Sequence, residues 1–212
     1  MSNSKKENII VFGGTFNPPT LAHLHLATIA KEFVKAKKCI FLPVGDDYNK
    51  KDIISASHRL NMLEALILNE EGFDIERFET KQKTFTTTYE SLSYIKNKYG
   101  TDTNYYFMMG SDNLEKISDW KNIHNLLEEF HLLIIKRADM NSDNIIKKDA
   151  FFKRYKSKIM TINIDNDVIE HISSSLVREM SILEETRMFL KPSVFEYIKE
   201  HKLYDFKDYD AV

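Results

Sequence analysis

The stretch that decides the fold is Ile9–His23, which reads IIVFGGTFNPPTLAH. Four consecutive apolar residues, Ile9–Phe12, are typical of a strand that is covered on both faces of a parallel sheet. The pair Gly13-Gly14 follows directly, and an amphipathic pattern over Leu21–Val34 predicts a helix after it. The stretch therefore predicts a strand, a tight turn and a helix, which is the opening unit of an open α/β sheet.

The same alternation continues along the chain. The further predicted strands are Cys39–Val44, Phe73–Phe78, Tyr105–Met109, His131–Lys136 and Ile159–Ile164. The further predicted helices are Ser57–Leu68, one that runs from a capping box at Thr87 to a stop at Gly100, Asn144–Tyr155, Ser174–Leu183, and one from Pro192 to near His201. We expect an α/β protein with a Rossmann-like fold: an open, mostly parallel sheet with helices on both faces.

The organisation of the chain is simple. No internal repeat and no linker rich in proline, glycine or serine divides it. Residues 1–212 are therefore expected to form a single domain, with a helical part from about residue 173. The one shift in composition is the polar segment Arg137–Asp149, which indicates a surface connection or an insertion.

Composition and charge argue against a disordered chain, a binder of duplex nucleic acid and a membrane-spanning protein. Hydrophobic residues make up 42% of the 212 residues, enough for a core, and the formal net charge is -2. Proteins that bind duplex nucleic acid usually carry a basic excess, so no nucleic-acid partner is predicted. The chain shows no signal peptide and no run of 18 apolar residues, and its one cysteine, Cys39, favours a reducing compartment. We expect a cytoplasmic protein without a membrane partner, and self-association stays open.

The turn after the first strand is a candidate anion site. It matches neither G-x-G-x-x-G nor the P-loop pattern. Gly13 and Gly14 nevertheless let the backbone approach an anion, and the next helix offers unpaired N–H groups. His23 lies on the first turn of that helix, one turn from Thr20. A tight turn beside a surface histidine is the alternative interpretation.

A second helix start has a similar character. Ile172–Arg178 reads ISSSLVR, with serines at the cap and in the first turn. Serines there satisfy N–H groups and can also bind a phosphate. Arg178 shares a helix face with Ser174 and Ser175, and its planar fork could complete a phosphate clamp. An N-cap followed by a solvated arginine is the alternative.

The remaining candidates follow other predicted strands. Gly110 ends the fourth strand, where it permits close approach of a ligand, and Asp112 could accept from ribose hydroxyls. Trp120 is either a platform for a planar ring or part of the core. Lys50 is either a phosphate ligand or part of a solvated loop. No cluster of cysteine and histidine has the spacing of a metal site, so no metal ligands are predicted.

Together these segments resemble the nicotinamide/nicotinic acid mononucleotide adenylyltransferases of the nucleotidyltransferase superfamily. Gly13–His23 is similar to the signature GG[TS]F[DN]P…[HT]xxH, and Ile172–Arg178 is similar to ISS[ST]x[IV]R. The resemblance also covers Pro43–Lys51, His58–Leu63, Gly110–Asp112 with Trp120, and Tyr197–Tyr204. The usual aspartate before proline is Asn17 here, and the loop Gly45–Lys51 resembles the eukaryotic enzymes.

The resemblance implies a reaction of ATP with a pyridine mononucleotide, which gives a dinucleotide and pyrophosphate. The implied catalytic residues are Thr20, His23, Lys50 and Arg178. The implied ATP-binding residues are Gly13, Gly14, Thr15, Phe16, His23, Ser174, Ser175 and Arg178. The implied mononucleotide-binding residues are Tyr48, Lys50, Tyr89, Gly110, Asp112 and Trp120. Mg²⁺ is expected on the ATP phosphates rather than in a protein cage.

Nicotinate mononucleotide is the predicted acceptor, in the synthesis of NAD through deamido-NAD. Three alternatives stay open at the level of sequence. The enzyme could prefer nicotinamide mononucleotide, which its eukaryote-like loop allows. It could be another transferase of the superfamily, such as a phosphopantetheine adenylyltransferase. It could also be a module that binds ATP without turnover.

Overall fold

The computed structural model describes residues 6–47, 52–136, 150–164 and 172–207. Within these ranges six strands form one sheet. They are β1 (Glu7–Gly14), β2 (Lys38–Pro43), β3 (Phe73–Ile75), β4 (Thr103–Gly110), β5 (His131–Lys136) and β6 (Ile159–Asn163). All six were predicted, because most of them contain a run of consecutive apolar residues.

The sheet has the order β3-β2-β1-β4-β5-β6, and all of its neighbouring strands pair in parallel. The predicted open parallel α/β sheet is therefore confirmed. The strand order reverses between β1 and β4, which is where ligands bind in sheets of this kind. β3 ends earlier than the predicted Phe78, since it lies at the edge and pairs only with β2.

Helices cover both faces of the sheet. The α-helices of the described ranges are α1 (Leu21–Phe33), α2 (Ala56–Ile67), α3 (Thr88–Tyr99), α4 (Ile123–Glu129), α5 (Ala150–Arg154), α6 (Ser174–Glu179) and α7 (Pro192–Glu200). Short 3₁₀ helices span Glu79–Lys81, Ser111–Asp119, Lys156–Lys158 and Leu183–Phe189, and Leu203–Asp205 forms a turn in which Tyr204 has a non-helical φ of 69°. None of the described helices combines the length and the apolar character needed to cross a bilayer.

The alternation of side chains along β1 shows how two cores form. Ile10 and Phe12 point to one face and pack with residues of α1, α2, α6 and α7. Ile9 and Val11 point to the other face and pack with residues of α3, α4 and α5. Because both faces are covered, the central part of the strand, Ile9–Phe12, is apolar at consecutive rather than alternate positions.

Three helices show how closely the boundaries predicted from local sequence match the observed ones. The capping box at Thr87 and the stop at Gly100 are present as predicted. The predicted helix Ser174–Leu183 ends earlier, at Glu179, because Lys207 bonds to Ser181 and forms a bridge with Ile182. The described part of the predicted helix Asn144–Tyr155 is α5; residues 144–149, and all of the segment Arg137–Asp149, lie outside the described residues.

Candidate active site

A cavity of about 910 Å³ opens at the carboxyl ends of β1 and β4, at the reversal of strand order. Its wall includes the turn after β1, the loop after β2, the end of β4 and the start of α6. Both sequence signatures therefore face one cavity, although about 150 residues separate them. The volume falls within the range of small-molecule and cofactor sites.

The β1–α1 turn needs both of its glycines for packing. A Cβ on Gly13 would lie 2.7 Å from Cζ of Phe107, and a Cβ on Gly14 would lie 2.9 Å from Cζ of Phe16. Phe16 itself has φ 50° and is 1% exposed. The turn is thus held close against the sheet, and the backbone at Gly13, Gly14 and Thr15 forms part of the cavity wall.

His23 lies at the third position of α1 and lines the cavity. Its Nδ1 accepts from the backbone N–H of Thr20 at 3.0 Å, and the hydroxyl of Thr20 lies 2.8 Å from the same nitrogen. In the neutral ring the proton is therefore on Nε2, so that Nε2 is the hydrogen-bond donor that the imidazole offers. The rings of Phe12 and Phe16, at 5.9 and 5.3 Å between centroids, fix the position of the imidazole.

The resemblance implied a catalytic role for Thr20, but the structure places its side chain outside the lining of the cavity. It is fully buried, forms the N-cap of α1, and is not among the described residues that line the cavity. Its contacts go to His23, so it orients that ring and does not itself reach a ligand in the cavity.

The start of α6 is joined directly to the β1–α1 turn. The Ser173 hydroxyl is the N-cap and accepts from the Leu176 N–H, whereas the Ser174 hydroxyl donates to the Pro18 carbonyl at 2.7 Å. A hydroxyl has one proton to donate, so Ser174 in this arrangement offers an anion its backbone N–H. Ser175 is exposed and lines the cavity.

Arg178 completes the link between the two signatures. One guanidinium nitrogen donates to the Asn17 carbonyl at 2.6 Å, and another lies 3.4 Å from the Ser175 hydroxyl. The side chain is half-buried and lines the cavity. A guanidinium has five N–H donors, so these two bonds do not exhaust its capacity to bind a phosphate.

The other end of the cavity contains three of the predicted mononucleotide residues. Gly110, Asp112 and Trp120 all line it. A Cβ on Gly110 would collide with the Asp112 carboxylate, so a larger residue here would displace that carboxylate. Trp120 is half-buried, and its ring stands edge-on to Phe107 at 6.0 Å. Tyr48 and Lys50 lie outside the described residues.

The structure does not bring Tyr89 to the cavity. Its hydroxyl donates to Glu129 at 2.7 Å, and its ring packs edge-on against Phe130. The hydrogen bond to Glu129 is the main reason why the pKa of Tyr89 is raised. The hydrogen bond to Glu129 holds the Tyr89 side chain against α4 rather than in the cavity wall.

Arg59 organises the site, and the sequence did not single it out. It is fully buried and donates to the carbonyl oxygens of Thr15, Val44 and Ile54 at 2.8–3.1 Å. It also bonds to Asp46 at 3.2 Å, and burial lowers its pKa. Arg59 therefore ties the β1–α1 turn to the loop after β2. An arginine within an amphipathic helical pattern gives no signal of such a role.

Two further parts of the wall were also missed. Thr84–Thr88 lead into α3 along one side of the cavity, and Phe85 is 66% exposed there. Glu79 lies in the same wall and accepts from the buried Ser91 hydroxyl at 2.6 Å. Burial raises the pKa of Glu79 to about 7. The TFTTT run could have signalled a polar wall, but the burial of Glu79 has no local signal.

The fold and the site define an α/β protein whose cavity at the reversal of strand order is bordered by two helix starts and an arginine, an arrangement that suits the phosphates of a nucleotide. A probable nicotinate-nucleotide adenylyltransferase of Clostridium perfringens (strain SM101 / Type A) is 32% identical over 202 residues, 93% of this chain and 98% of the relative. One of Clostridium novyi (strain NT) is 32% identical over 185 residues, 86% of this chain and 90% of the relative.

Among solved structures, the nicotinic acid mononucleotide adenylyltransferase of Plasmodium falciparum complexed with NaAD superposes with a TM-score of 0.78 at 25% identity, over 95% of this chain and 98% of that chain. The chain belongs to the cytidylyltransferase-like family, whose model matches residues 11–180, and within it to the nicotinate-nucleotide adenylyltransferases.

Proposed function

We propose that the protein joins ATP and nicotinate mononucleotide to give deamido-NAD and pyrophosphate. The mononucleotide 5′-phosphate attacks the α-phosphorus of ATP. The new P–O bond forms as the bond from the α-phosphorus to the β-phosphate bridge breaks, and pyrophosphate leaves with that electron pair. The observation that carries the proposal is the meeting of His23, Arg178 and two helix starts at one glycine turn. The adenylyltransferase relatives support it.

The chemistry asks the protein for position and charge rather than for a strong base. A phosphate monoester is already largely ionised near pH 7, so the nucleophile needs no deprotonation. Catalysis of phosphoryl transfer then rests on alignment and on stabilisation of the charge that develops. We assign the donation to ATP phosphate oxygens to Nε2 of His23, to the guanidinium of Arg178 and to backbone N–H groups at the start of α6.

The mononucleotide is assigned to the other end of the cavity. Trp120 offers a flat surface to the pyridine ring, Asp112 can accept from ribose, and Gly110 leaves room for the sugar. Lys50 and Tyr48, beside the 5′-phosphate, stay predictions. Two features favour the negatively charged nicotinate ring over the neutral nicotinamide ring. Lys121 lines the cavity beside Trp120, and the N-terminus of α3 lies in the same wall.

We expect the site to accept Mg²⁺ bound to the substrate ATP rather than Mg²⁺ held by protein ligands. Among the residues that the structure describes, no cluster of three His, Cys, Asp or Glu side chains could hold a metal. We propose that Mg²⁺ arrives bound to the ATP phosphates. A cytoplasmic location, a single domain over residues 1–212 and the absence of nucleic-acid partners also stay predictions.

The test is release of pyrophosphate from Mg²⁺-ATP with a panel of acceptors: nicotinate mononucleotide, nicotinamide mononucleotide and phosphopantetheine. We expect release with nicotinate mononucleotide at the highest kcat/KM, together with an equimolar amount of deamido-NAD. Preference for nicotinamide mononucleotide would support the alternative that the eukaryote-like loop allows and would contradict nicotinate mononucleotide as the acceptor. Release only with phosphopantetheine would indicate another branch of the superfamily. No release with any acceptor, although ATP binds, would indicate a binding module.

A further inference from the structure

Asn17 is a buried residue that connects four segments of the chain. Its side-chain nitrogen donates to the Asp52 carbonyl at 2.8 Å. Its side-chain oxygen accepts from the Ile54 N–H at 3.4 Å and from the Tyr204 hydroxyl at 3.0 Å. Its backbone carbonyl accepts from Arg178 at 2.6 Å. Through this one residue the β1–α1 turn is bonded to the loop after β2, to α6 and to the C-terminal segment.

The C-terminal segment Lys202–Lys207 is held in a conformation that its residues do not favour by themselves. Lys202, Tyr204 and Asp205 have φ values of 49°, 69° and 53°, although none is a glycine. The Lys207 N–H donates to the Ser181 carbonyl at 2.9 Å, which fixes the far end of the segment. Such a backbone persists only where surrounding contacts determine it.

The Tyr204 hydroxyl is the contact from this segment to the turn. Burial raises the pKa of Tyr204, even though the guanidinium groups of Arg178 and Arg59 act in the opposite direction. The hydroxyl therefore keeps its proton and is the donor in its bond to Asn17. Neither Tyr204 nor Asn17 is among the described residues that line the cavity. Any effect of Tyr204 on a ligand must pass through Asn17 and the residues bonded to it.

We propose that Tyr204 is a positioning residue for the ATP phosphates: its hydroxyl fixes the Asn17 side chain, and Asn17 fixes the β1–α1 turn and the guanidinium of Arg178. The C-terminal segment thus contributes to ATP binding, although Tyr204 does not itself line the cavity. The inference rests on the proposed function, since that function assigns ATP to this end of the cavity.

The test compares two variants that each remove one hydroxyl from the C-terminal part of the chain. Tyr204→Phe removes the bond to Asn17. The control, Tyr197→Phe, removes a hydroxyl that bonds to Asn61 at 2.8 Å and lies 3.0 Å from Nδ1 of His58, away from the cavity. Three quantities are measured: the Kd of Mg²⁺-ATP by calorimetry without mononucleotide, the KM for nicotinate mononucleotide at saturating ATP, and the melting temperature.

We expect Tyr204→Phe to raise the Kd of ATP about three- to tenfold, the size of effect that loss of one hydrogen bond produces. Its KM for the mononucleotide and its melting temperature should stay close to those of Tyr197→Phe, whose ATP affinity should equal that of the wild type. In a double-mutant cycle, Tyr204→Phe should weaken ATP binding no further in an Asn17→Ala background. If Asn17→Ala does not fold, the comparison of the two tyrosine variants decides alone.

Equal ATP affinity of Tyr204→Phe and wild type would overturn the positioning role. So would a loss of affinity for both substrates by the same factor in both tyrosine variants, because that pattern indicates general destabilisation. A wild-type protein that binds Mg²⁺-ATP but transfers no adenylyl group would contradict the proposed function and leave the positioning role standing. The two failures are therefore distinguishable.

Discussion

Replacement of Glu79 by glutamine should stabilise the protein at alkaline pH and do so much less at acidic pH. Burial raises the pKa of Glu79 from an ordinary value of 4.5 to about 7. The folded state therefore binds a proton that the unfolded state has released between these two values, and stability falls as pH rises through this window. Glutamine is neutral throughout and can still accept from the Ser91 hydroxyl.

The size of the effect follows from the linkage between pKa and stability. A pKa difference of about 2.5, at about 1.4 kcal/mol for each pKa unit, sets an upper limit of about 3.5 kcal/mol on the gain at pH 8. At pH 5 the gain should fall to about 1 kcal/mol or less, because Glu79 is then protonated in the folded state. The assay is urea unfolding at both pH values, and Glu115→Gln, at an exposed position, is the control. A gain equal at both pH values, or a loss at pH 8, would show that the pKa of Glu79 is not raised in the folded protein.

Three predictions concern the site itself. His23→Ala should lower kcat/KM for ATP at least tenfold in a protein that still folds, because it removes a charge-assisted bond worth about 1.5–3 kcal/mol; near-normal turnover would contradict this role. Its melting temperature should fall somewhat, since the buried Thr20 N–H loses its acceptor. Arg178→Lys should lower kcat/KM to a similar extent, since an ammonium cannot replace the planar guanidinium with its paired donors. Full activity would show that only the positive charge of Arg178 is needed. Trp120→Ala should raise the KM for the mononucleotide several-fold and leave that for ATP unchanged; unaltered affinity would assign Trp120 to the core.

The sheet could be predicted because its physical signal is local. The part of a strand that is buried on both faces is apolar at consecutive positions, as Ile9–Phe12 of β1 and Leu132–Ile135 of β5 are. The caps at Thr87 and Ser173 are also local signals. The end of β3 and the end of α6 could not be predicted, since each depends on a distant partner: the edge of the sheet for β3, and Lys207 for α6.

The site was predictable to the extent that it consists of helix starts. His23 and Arg178 lie at fixed offsets from capped helix ends, and the topology of the sheet brings those ends together. Tyr89 is not among the described residues that line the cavity, because its hydroxyl bonds to Glu129, a partner that the sequence does not show. Its role at the mononucleotide stays a prediction. Arg59 was missed because its buried partners are carbonyl groups of other loops. Carbonyl groups occur at every residue and leave no mark in the sequence.

We propose that this cavity transfers the adenylyl group of ATP to nicotinate mononucleotide. The most direct measurement is a competition in one vessel, with equal concentrations of nicotinate and nicotinamide mononucleotides and limiting Mg²⁺-ATP. The initial ratio of deamido-NAD to NAD equals the ratio of the two kcat/KM values. We predict an excess of deamido-NAD of at least tenfold. An excess of NAD, or the formation of neither dinucleotide, would contradict the account.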